Sequence, residues 1–319
     1  MCALSCWVVT DGKVGMENQC VGLAQALGLT PAVKRVRLRT PWKQLSPFLL
    51  RIGNRWSLAA DSDRLDAPLP DLMIATGRHS VSSSLEVGRM SGGRTFRVQI
   101  QDPGIDPRHF DLVVVPQHDR LRGPNVVVTT GALHKVTAEN LQAAAGRFAD
   151  RLDHLPRPRL AVLVGGNSGV HRLTPEITER LADQLAATAR AHDAALLVTA
   201  SRRTGADNEA VLRRRLAGLP GEIWDGRGEN PYLGYLAAAD AVVVTADSVN
   251  MVCEACSTGK PVYIVELEGG SDKFRRFHRG LQASGMTRSF DGSLDRWTYQ
   301  PLDDTRRVAE ILRRKLGER

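Results

Sequence analysis

Residues able to bind a nucleotide follow the apolar run Ala241–Thr245 in the second half of the chain. Asp247 or Ser248 can cap a helix over Val249–Thr258, and the N–H groups of its first turn would attract an anion. Glu254 lies about one and a half turns into that helix, where its carboxylate can accept hydrogen bonds from both ribose hydroxyls. The alternative for Glu254 is a solvated helix position without a ligand.

Two other apolar runs in this half also end in residues suited to phosphate. The run that starts at Leu160 continues into a glycine-containing loop, where backbone amides and polar side chains can approach an anion. The alternative there is a tight strand-to-helix turn. The run Ala195–Ala200 leads into adjacent arginines that can bind a diphosphate, and the alternative is a solvated helix start. The residues predicted to bind phosphate in these loops are Gly165, Gly166, Asn167, Ser168, Ser201, Arg202 and Arg203.

Short β-rich apolar runs alternate with amphipathic stretches along the chain, which is typical of parallel α/β domains. The runs AVLVG, ALLVTA and AVVVTA are almost continuously apolar, which indicates a sheet buried on both faces. The segment His154–Arg159 (HLPRPR) contains two prolines and predicts a linker. We therefore expect an N-terminal domain over 1–153, a second domain over 160–300, and a helix in 301–319 that packs back on the first domain. Ligands would bind in a central cleft, beyond the carboxyl ends of both parallel sheets.

Several motifs, in the expected order, resemble the bacterial relatives of the plant mitochondrial-fission factor ELM1 and the donor domain of GT-B glycosyltransferases. They are DGKVGMENQCVGLAQALG (Asp11–Gly28), TGRHS (Thr76–Ser80), IQDP (Ile100–Pro103), VPQHD (Val115–Asp119), TASRRTG (Thr199–Gly205) and the residues from Asn230 to Pro261. The resemblance implies a GT-B-like fold with two Rossmann-like domains and a site for a nucleotide-diphosphate sugar. The residues assigned to that site in the last motif are Asn230, Asp247, Ser248, Asn250, Met251 and Glu254.

The first domain would then bind the acceptor through the polar residues at its strand ends. Glycosyl transfer needs a base that deprotonates the acceptor hydroxyl, and positive charge or helix amides that stabilise the leaving diphosphate. Glu17, Asp102 and His118 are the candidate catalytic bases, and the alternative for each is a structural role. The other residues predicted on the acceptor side are Asp11, Lys13, Gly15, Arg78, His79 and Asp119. GT-B enzymes generally need no metal and no metal-ligand spacing occurs here, so we expect no cofactor.

The net charge of +8 is concentrated in one segment. Between Asn18 and Ala60 there are seven basic and no acidic residues, and the rest of the chain carries 36 basic against 35 acidic residues. Apolar residues recur there at helical spacing, which predicts a basic amphipathic helix suited to an anionic membrane surface. The alternative is an ordinary helix packed on the sheet. The predicted membrane-surface residues are Trp42, Phe48, Arg51, Arg55 and Trp56.

Composition and pattern exclude several classes of protein. The proportions of hydrophobic (42%) and charged (24%) residues are ordinary for a globular protein, and 5 Cys in 319 residues are too few for a disulfide framework. No apolar run reaches the roughly 18 residues needed to span a membrane, and no charged segment typical of a signal peptide precedes the first apolar stretch. No nucleic-acid recognition motif is visible. We therefore expect a cytoplasmic protein that docks on the inner membrane surface.

Three functions remain open at this point. The first is a metal-independent glycosyltransferase that moves a sugar from a nucleotide diphosphate to a lipid-linked or cell-envelope acceptor. The second is a sugar-nucleotide epimerase on the same fold, which would use the same donor site without an acceptor. The third is a non-enzymatic recruiter protein, as the resemblance to a fission factor suggests.

Overall fold

The structure is a computed structural model that describes residues 4–40, 42–45 and 57–318. The chain divides into two compact units. The first unit combines Met1–Lys135 with Asp303–Arg319, and the second consists of Val136–Leu302.

The first unit is built on a parallel sheet of six strands in the order β2-β1-β3-β4-β5-β6. Its strands are Cys6–Thr10 (β1), Ala32–Arg35 (β2), Leu72–Thr76 (β3), Phe96–Ile100 (β4), Leu112–Pro116 (β5) and Val126–Thr129 (β6). Its described helices are Val14–Ala26 (α1), Trp42–Leu45 (α2), Val81–Met90 (α3) and the C-terminal helix Asp304–Gly317, with a short 3-10 helix at Arg78–Ser80. Alternate residues of β1 and β3 enter two separate hydrophobic clusters, so both faces of this sheet are covered.

The second unit repeats this plan with six parallel strands in the order β10-β9-β7-β11-β12-β14. Its strands are Arg159–Val164 (β7), Ala195–Ala200 (β9), Gly221–Ile223 (β10), Ala241–Thr245 (β11), Val262–Val265 (β12) and Thr287–Ser289 (β14), and an antiparallel ribbon joins His171–Arg172 (β8) to Glu268–Gly269 (β13). Its helices are Ala138–Leu152 (α4), Pro175–His192 (α5), Ala206–Arg215 (α6), Tyr232–Ala238 (α7), Val249–Cys256 (α8) and Asp272–Ala283 (α9). Every residue of β7 and β11 is buried, because both lie in the middle of the sheet.

The division into units differs from the predicted boundaries at 153 and 160, and the contacts of α4 explain why. The apolar face of α4 packs on α7, so closely that a Cβ on Gly234 would lie 2.6 Å from the ring of Phe148. Arg151 on α4 also forms an ion pair with Glu222 at 2.7 Å. The helix therefore belongs to the second unit, and the proline-containing segment His154–Arg159 lies inside that unit and does not link the two.

The C-terminal helix packs on the first unit, in a core that it shares with α1. Val308 and Leu312 are buried there beside Leu23. At the start of the helix, the carboxylate of Asp304, 4% exposed, accepts a hydrogen bond from the amide of Gly131 at 3.0 Å. The end of the chain is thus part of the same compact unit as its beginning.

The sequence did not predict β14, β8 or β13, which are all three residues or shorter.

Of the predicted amphipathic helix, only Trp42–Leu45 is described as a helix, with Trp42 half-buried. The remaining predicted membrane-surface residues, Phe48, Arg51, Arg55 and Trp56, lie outside the described residues. Within the part of the chain that the structure describes, no helix is both long enough and apolar enough to cross a membrane.

Candidate functional site

The loops that follow β7 and β11 meet at the centre of the second sheet. These strands are neighbours, with β9 and β10 on one side and β12 and β14 on the other, so the order of connection reverses between them. Ligands of open α/β sheets bind at such switch points, beyond the carboxyl ends of the strands. The loop after β7 contains the predicted residues 165–168, and the loop after β11 contains Asp247 and Ser248.

Asp247 organises these loops. Its side chain is fully buried, and its carboxylate accepts hydrogen bonds from the Thr245 hydroxyl at 2.7 Å and the Gly166 amide at 3.0 Å. The guanidinium of Arg203 adds an ion pair at 2.7 Å. A buried carboxylate requires such partners, because an unpaired charge loses its hydration without compensation. Asp247 therefore holds three segments together and does not cap a helix.

Gly165 and Gly166 are required by this packing. A Cβ on Gly165 would lie 2.3 Å from both carboxylate oxygens of Asp247. Gly166 has a φ of +147°, and a Cβ there would lie 2.1 Å from the carbonyl oxygen of Arg203. The two glycines thus permit the close approach of the loops after β7, β9 and β11.

The backbone amides of the predicted phosphate cradle all have partners within the protein. Their acceptors are the Thr245 hydroxyl for Gly165 (2.8 Å), the Asp247 carboxylate for Gly166 (3.0 Å), and the carbonyls of Arg203 for Asn167 (3.0 Å) and of His171 for Ser168 (2.9 Å). Asn167 and Ser168 themselves are exposed. A phosphate at this loop would therefore meet side chains, because the amides already serve to fix the loop.

The loop after β9 holds two exposed arginines, of which Arg203 is ion-paired. The hydroxyls of Ser201 and Thr204 both donate to the carbonyl of Gly165, at 2.7 and 2.5 Å, and attach this loop to the loop after β7. The guanidinium of Arg203 is engaged by the buried carboxylate of Asp247, whereas the exposed Arg202 lies outside that ion pair. Of the two predicted diphosphate ligands, Arg202 is the one whose position leaves its charge accessible to an anion.

Glu254 is a buried carboxylate on α8, with 6% of its surface exposed. The Tyr232 hydroxyl donates to its Oε2 atom at 2.5 Å. Burial and the charge of Glu254 raise the pKa of Tyr232 well above its ordinary value, so the hydroxyl remains a donor. The Asn230 side chain accepts from the amide of Tyr232 at 3.0 Å and thereby starts α7. Asn230 is thus placed as support for Tyr232.

The amino end of α8 lies directly after the Asp247 loop. Ser248 caps this helix by accepting from the Met251 amide at 3.4 Å, and Asn250 lies half-buried in the same first turn. The N-terminal turn of a helix carries partial positive charge, which attracts anions. The start of α8 can therefore attract a phosphate, and the Glu254 carboxylate further along the same helix can accept hydrogen bonds from a ligand.

Two histidines near this site were missed by the sequence analysis. His171 on β8 stacks edge-on against the ring of Phe274 on α9, with ring centroids 4.6 Å apart. Burial lowers its pKa, while the nearby charge of Asp247 acts in the opposite direction. On α9, the Nε2 atom of His278 lies 2.8 Å from the carbonyl oxygen of Ala246. The only sequence signal for His171 is its place at the end of the glycine-containing loop after β7. No local sequence pattern marks His278 as a site residue.

In the first unit, the structure brings Asp11, Lys13 and His79 together. Lys13 forms an ion pair with Asp11 at 2.6 Å, and the Nδ1 atom of His79 lies 3.7 Å from the same carboxylate. Glu17 instead accepts two hydrogen bonds from the Arg35 guanidinium, at 2.8 and 2.9 Å. This pairing joins α1 to β2 and gives Glu17 a structural contact, and its catalytic role stays a prediction.

The remaining predicted residues of this unit lie in loops or in the first turn of a helix. Asp102 is exposed and accepts from the amide of Gly104 at 2.8 Å, so its carboxylate stabilises a turn. His118 is 7% exposed, and Asp119 beside it is half-buried in the turn after β5. Gly15 lies in the first turn of α1. Among the described residues, no group of three or more metal-ligating side chains comes together.

Comparisons with known proteins agree on the family and the fold. The family model described as "Mitochondrial fission ELM1" matches residues 14–316. The chain is 32% identical to the mitochondrial fission protein ELM1 of Arabidopsis thaliana, over 98% of this chain and 91% of that protein.

Solved structures with the same fold include two enzymes. The UDP-GlcNAc 2-epimerase from Neisseria meningitidis, bound to UDP-GlcNAc, aligns with a TM-score of 0.54 and 12% identity, over 99% of this chain and all (100%) of that one. MurG from Acinetobacter baumannii aligns with a TM-score of 0.50 and 14% identity, over 99% and 93%. These matches confirm the predicted GT-B-like α/β fold. The family match across the described motifs confirms the resemblance, and the chain belongs to the mitochondrial fission ELM1 family.

Proposed function

We propose that the chain is a glycosyltransferase of the GT-B type, and that its second unit binds a nucleotide-diphosphate sugar as donor. The observation that carries this proposal is the buried Glu254, which Tyr232 holds on a helix whose amino end lies at the switch point. The ribose hydroxyls would donate to Glu254. The diphosphate would lie against the start of α8, with Arg202 as its cation. Asp247 and the two glycines would keep the loops in place.

The first unit would bind the acceptor, a lipid-linked or cell-envelope molecule reached at the inner membrane surface by a cytoplasmic protein. The support for this part is the segment from Asn18 to Ala60, which has seven basic and no acidic residues. Such a segment is attracted to anionic lipid, and the attraction weakens as salt screens it.

Calorimetric titration with UDP, GDP, ADP and CDP tests the donor site. We expect one of them to bind the wild type, and Glu254→Gln to weaken that affinity about 10- to 100-fold, because a hydrogen bond to a charged group is lost. Glu222→Gln is the matched control, since Glu222 accepts from Tyr235 in the same unit but lies on the edge strand β10. No binding of any of the four, or equal weakening by both variants, would contradict the proposal.

An epimerase is the second candidate, because a sugar-nucleotide epimerase shares the fold. An epimerase that works by proton abstraction would incorporate deuterium from heavy water into the sugar nucleotide without any acceptor. A transferase would leave the sugar unlabelled. Mass spectrometry of the recovered sugar nucleotide separates the two.

A recruiter without enzymatic activity is the third candidate, since the plant relative is named for mitochondrial fission. A recruiter would still capture its partner proteins when Glu254 and Arg202 are both replaced by neutral residues. A pull-down with that double variant, beside the nucleotide titration, distinguishes a recruiter from a transferase.

A further inference from the structure

The first unit has a switch point of the same kind as the second. Its strands β1 and β3 are neighbours, with β2 on one side and β4, β5 and β6 on the other. The loop after β1 carries Asp11 and Lys13, and the loop after β3 carries Arg78 and His79. The approach of His79 to within 3.7 Å of Asp11 shows that the two loops meet. We call this place the β1–β3 crevice.

Positive charge exceeds negative charge in the β1–β3 crevice. Lys13, with 69% of its side chain exposed, and the exposed Arg78 face one largely buried carboxylate, Asp11, which is 11% exposed. The electrostatic influence of Lys43, an exposed residue on α2, also reaches His79. Three cations around one carboxylate favour a ligand that brings its own negative charge.

His79 is placed to accept a proton in this crevice. Its side chain is 29% exposed, and Asp11 faces its Nδ1 atom, an arrangement that favours hydrogen on Nδ1 and a lone pair on Nε2. Burial lowers the pKa of His79, the cations Lys13, Lys43 and Arg78 act in the same direction, and Asp11 opposes them. These effects favour the neutral imidazole, which is the form that can accept a proton.

We propose that the β1–β3 crevice binds a hydroxyl-bearing phosphate ester, with the phosphate on Lys13, Lys43 and Arg78 and the hydroxyl on Nε2 of His79. This assignment rests on the proposed transferase function for its chemistry, because the ester would be the acceptor. In the transfer, the acceptor oxygen bonds to the anomeric carbon, and the bond from that carbon to the diphosphate oxygen breaks. Its electron pair stays on the diphosphate, and the hydroxyl proton passes to His79.

Binding can be tested without the transfer reaction. Full-length protein with isotope-labelled histidine gives ring signals from its 8 His, and the variant His79→Gln identifies the signal of His79. On titration with glycerol 3-phosphate, we expect the His79 signal to move, and no movement with glycerol. The double variant Lys13→Gln/Lys43→Gln should weaken binding about tenfold or more. The control Arg64→Gln/Arg89→Gln removes the same charge from two exposed positions and should bind like the wild type.

A second arm decides whether the phosphate is free or belongs to a lipid. If the source is lipid, the chain floats with phosphatidylglycerol vesicles and not with phosphatidylcholine vesicles, and only the crevice double variant fails to float. If the source is soluble, the glycerol 3-phosphate titration alone responds. No response of His79 and no lysine-dependent flotation would overturn the assignment, as would equal losses in the two double variants. Nucleoside diphosphate titrations of the wild type and of Glu254→Gln report on the second unit, because only binding at the donor site depends on Glu254, so failure of the donor site is seen separately.

Discussion

The substitution Gly165→Ala tests whether Asp247 truly fixes the loops of the second unit. The added Cβ would lie 2.3 Å from both oxygens of a carboxylate whose side chain is fully buried, so Asp247 must move. Movement breaks at least one of its hydrogen bonds. Overpacking costs about 1–3 kcal/mol, and a lost hydrogen bond to a charged group costs about 1.5–3 kcal/mol. We therefore expect the free energy of unfolding of this unit to fall by about 3 kcal/mol.

Differential scanning calorimetry measures this loss, because it resolves units that unfold separately. A loss of about 3 kcal/mol corresponds to a fall of about 6–12 °C in the melting temperature of the second unit. Gly169→Ala is the matched control in the same loop, since a Cβ there has no neighbour within 4 Å. The control should change stability by less than about 0.5 kcal/mol. Equal melting temperatures for the two variants would refute the role of Asp247.

Three further predictions concern a close helix contact, a buried lysine and a buried hydrogen bond. Gly234→Ala should destabilise the second unit by about 1–3 kcal/mol in urea unfolding, because its Cβ would meet the ring of Phe148 at 2.6 Å. The control Gly146→Ala on α4 adds a Cβ with no neighbour within 4 Å and should stabilise the unit by about 0.5–1 kcal/mol. Burial lowers the pKa of Lys260 from 10.5 to about 8. The unfolded chain therefore binds more protons between these pH values, and stability should rise with pH there in the wild type relative to Lys260→Met. Asp304→Ala should speed amide hydrogen exchange in the C-terminal helix, because a buried hydrogen bond of 3.0 Å is lost.

The elements of both sheets were largely predictable from sequence, because apolar runs buried on both faces and capped helices leave strong local patterns. The helix Pro175–His192 carries clear local signals, because Thr174 precedes it as a cap and proline occupies its first position. In contrast, the unit to which α4 belongs depends on the packing of Phe148 against Gly234 of α7. These two residues are 86 positions apart in the sequence, so no local pattern reveals their contact. The short strand β14 carries too few residues to show a period.

The sequence identified loops that the structure brings together at the candidate site, but it did not predict the contacts within them. The sequence offered Asp247 or Ser248 as the helix cap, of which Ser248 is the cap, and it predicted residues 165–168 as a phosphate cradle. The structure shows that the carboxylate is buried against Arg203 and that the loop amides are already bonded. Likewise, nothing in the sequence indicated that Arg35 would hold Glu17, because the two residues lie on different elements. Such partners are set by tertiary packing, which residue spacing does not encode.

The most direct test of the account is a crystal structure of the chain with the nucleoside diphosphate that binds it most tightly. We predict ribose hydroxyls within hydrogen-bond distance of the Glu254 carboxylate, and the diphosphate at the amino end of α8 with Arg202 beside it. A nucleotide bound elsewhere in the second unit, or with its ribose away from Glu254, would contradict the central claim.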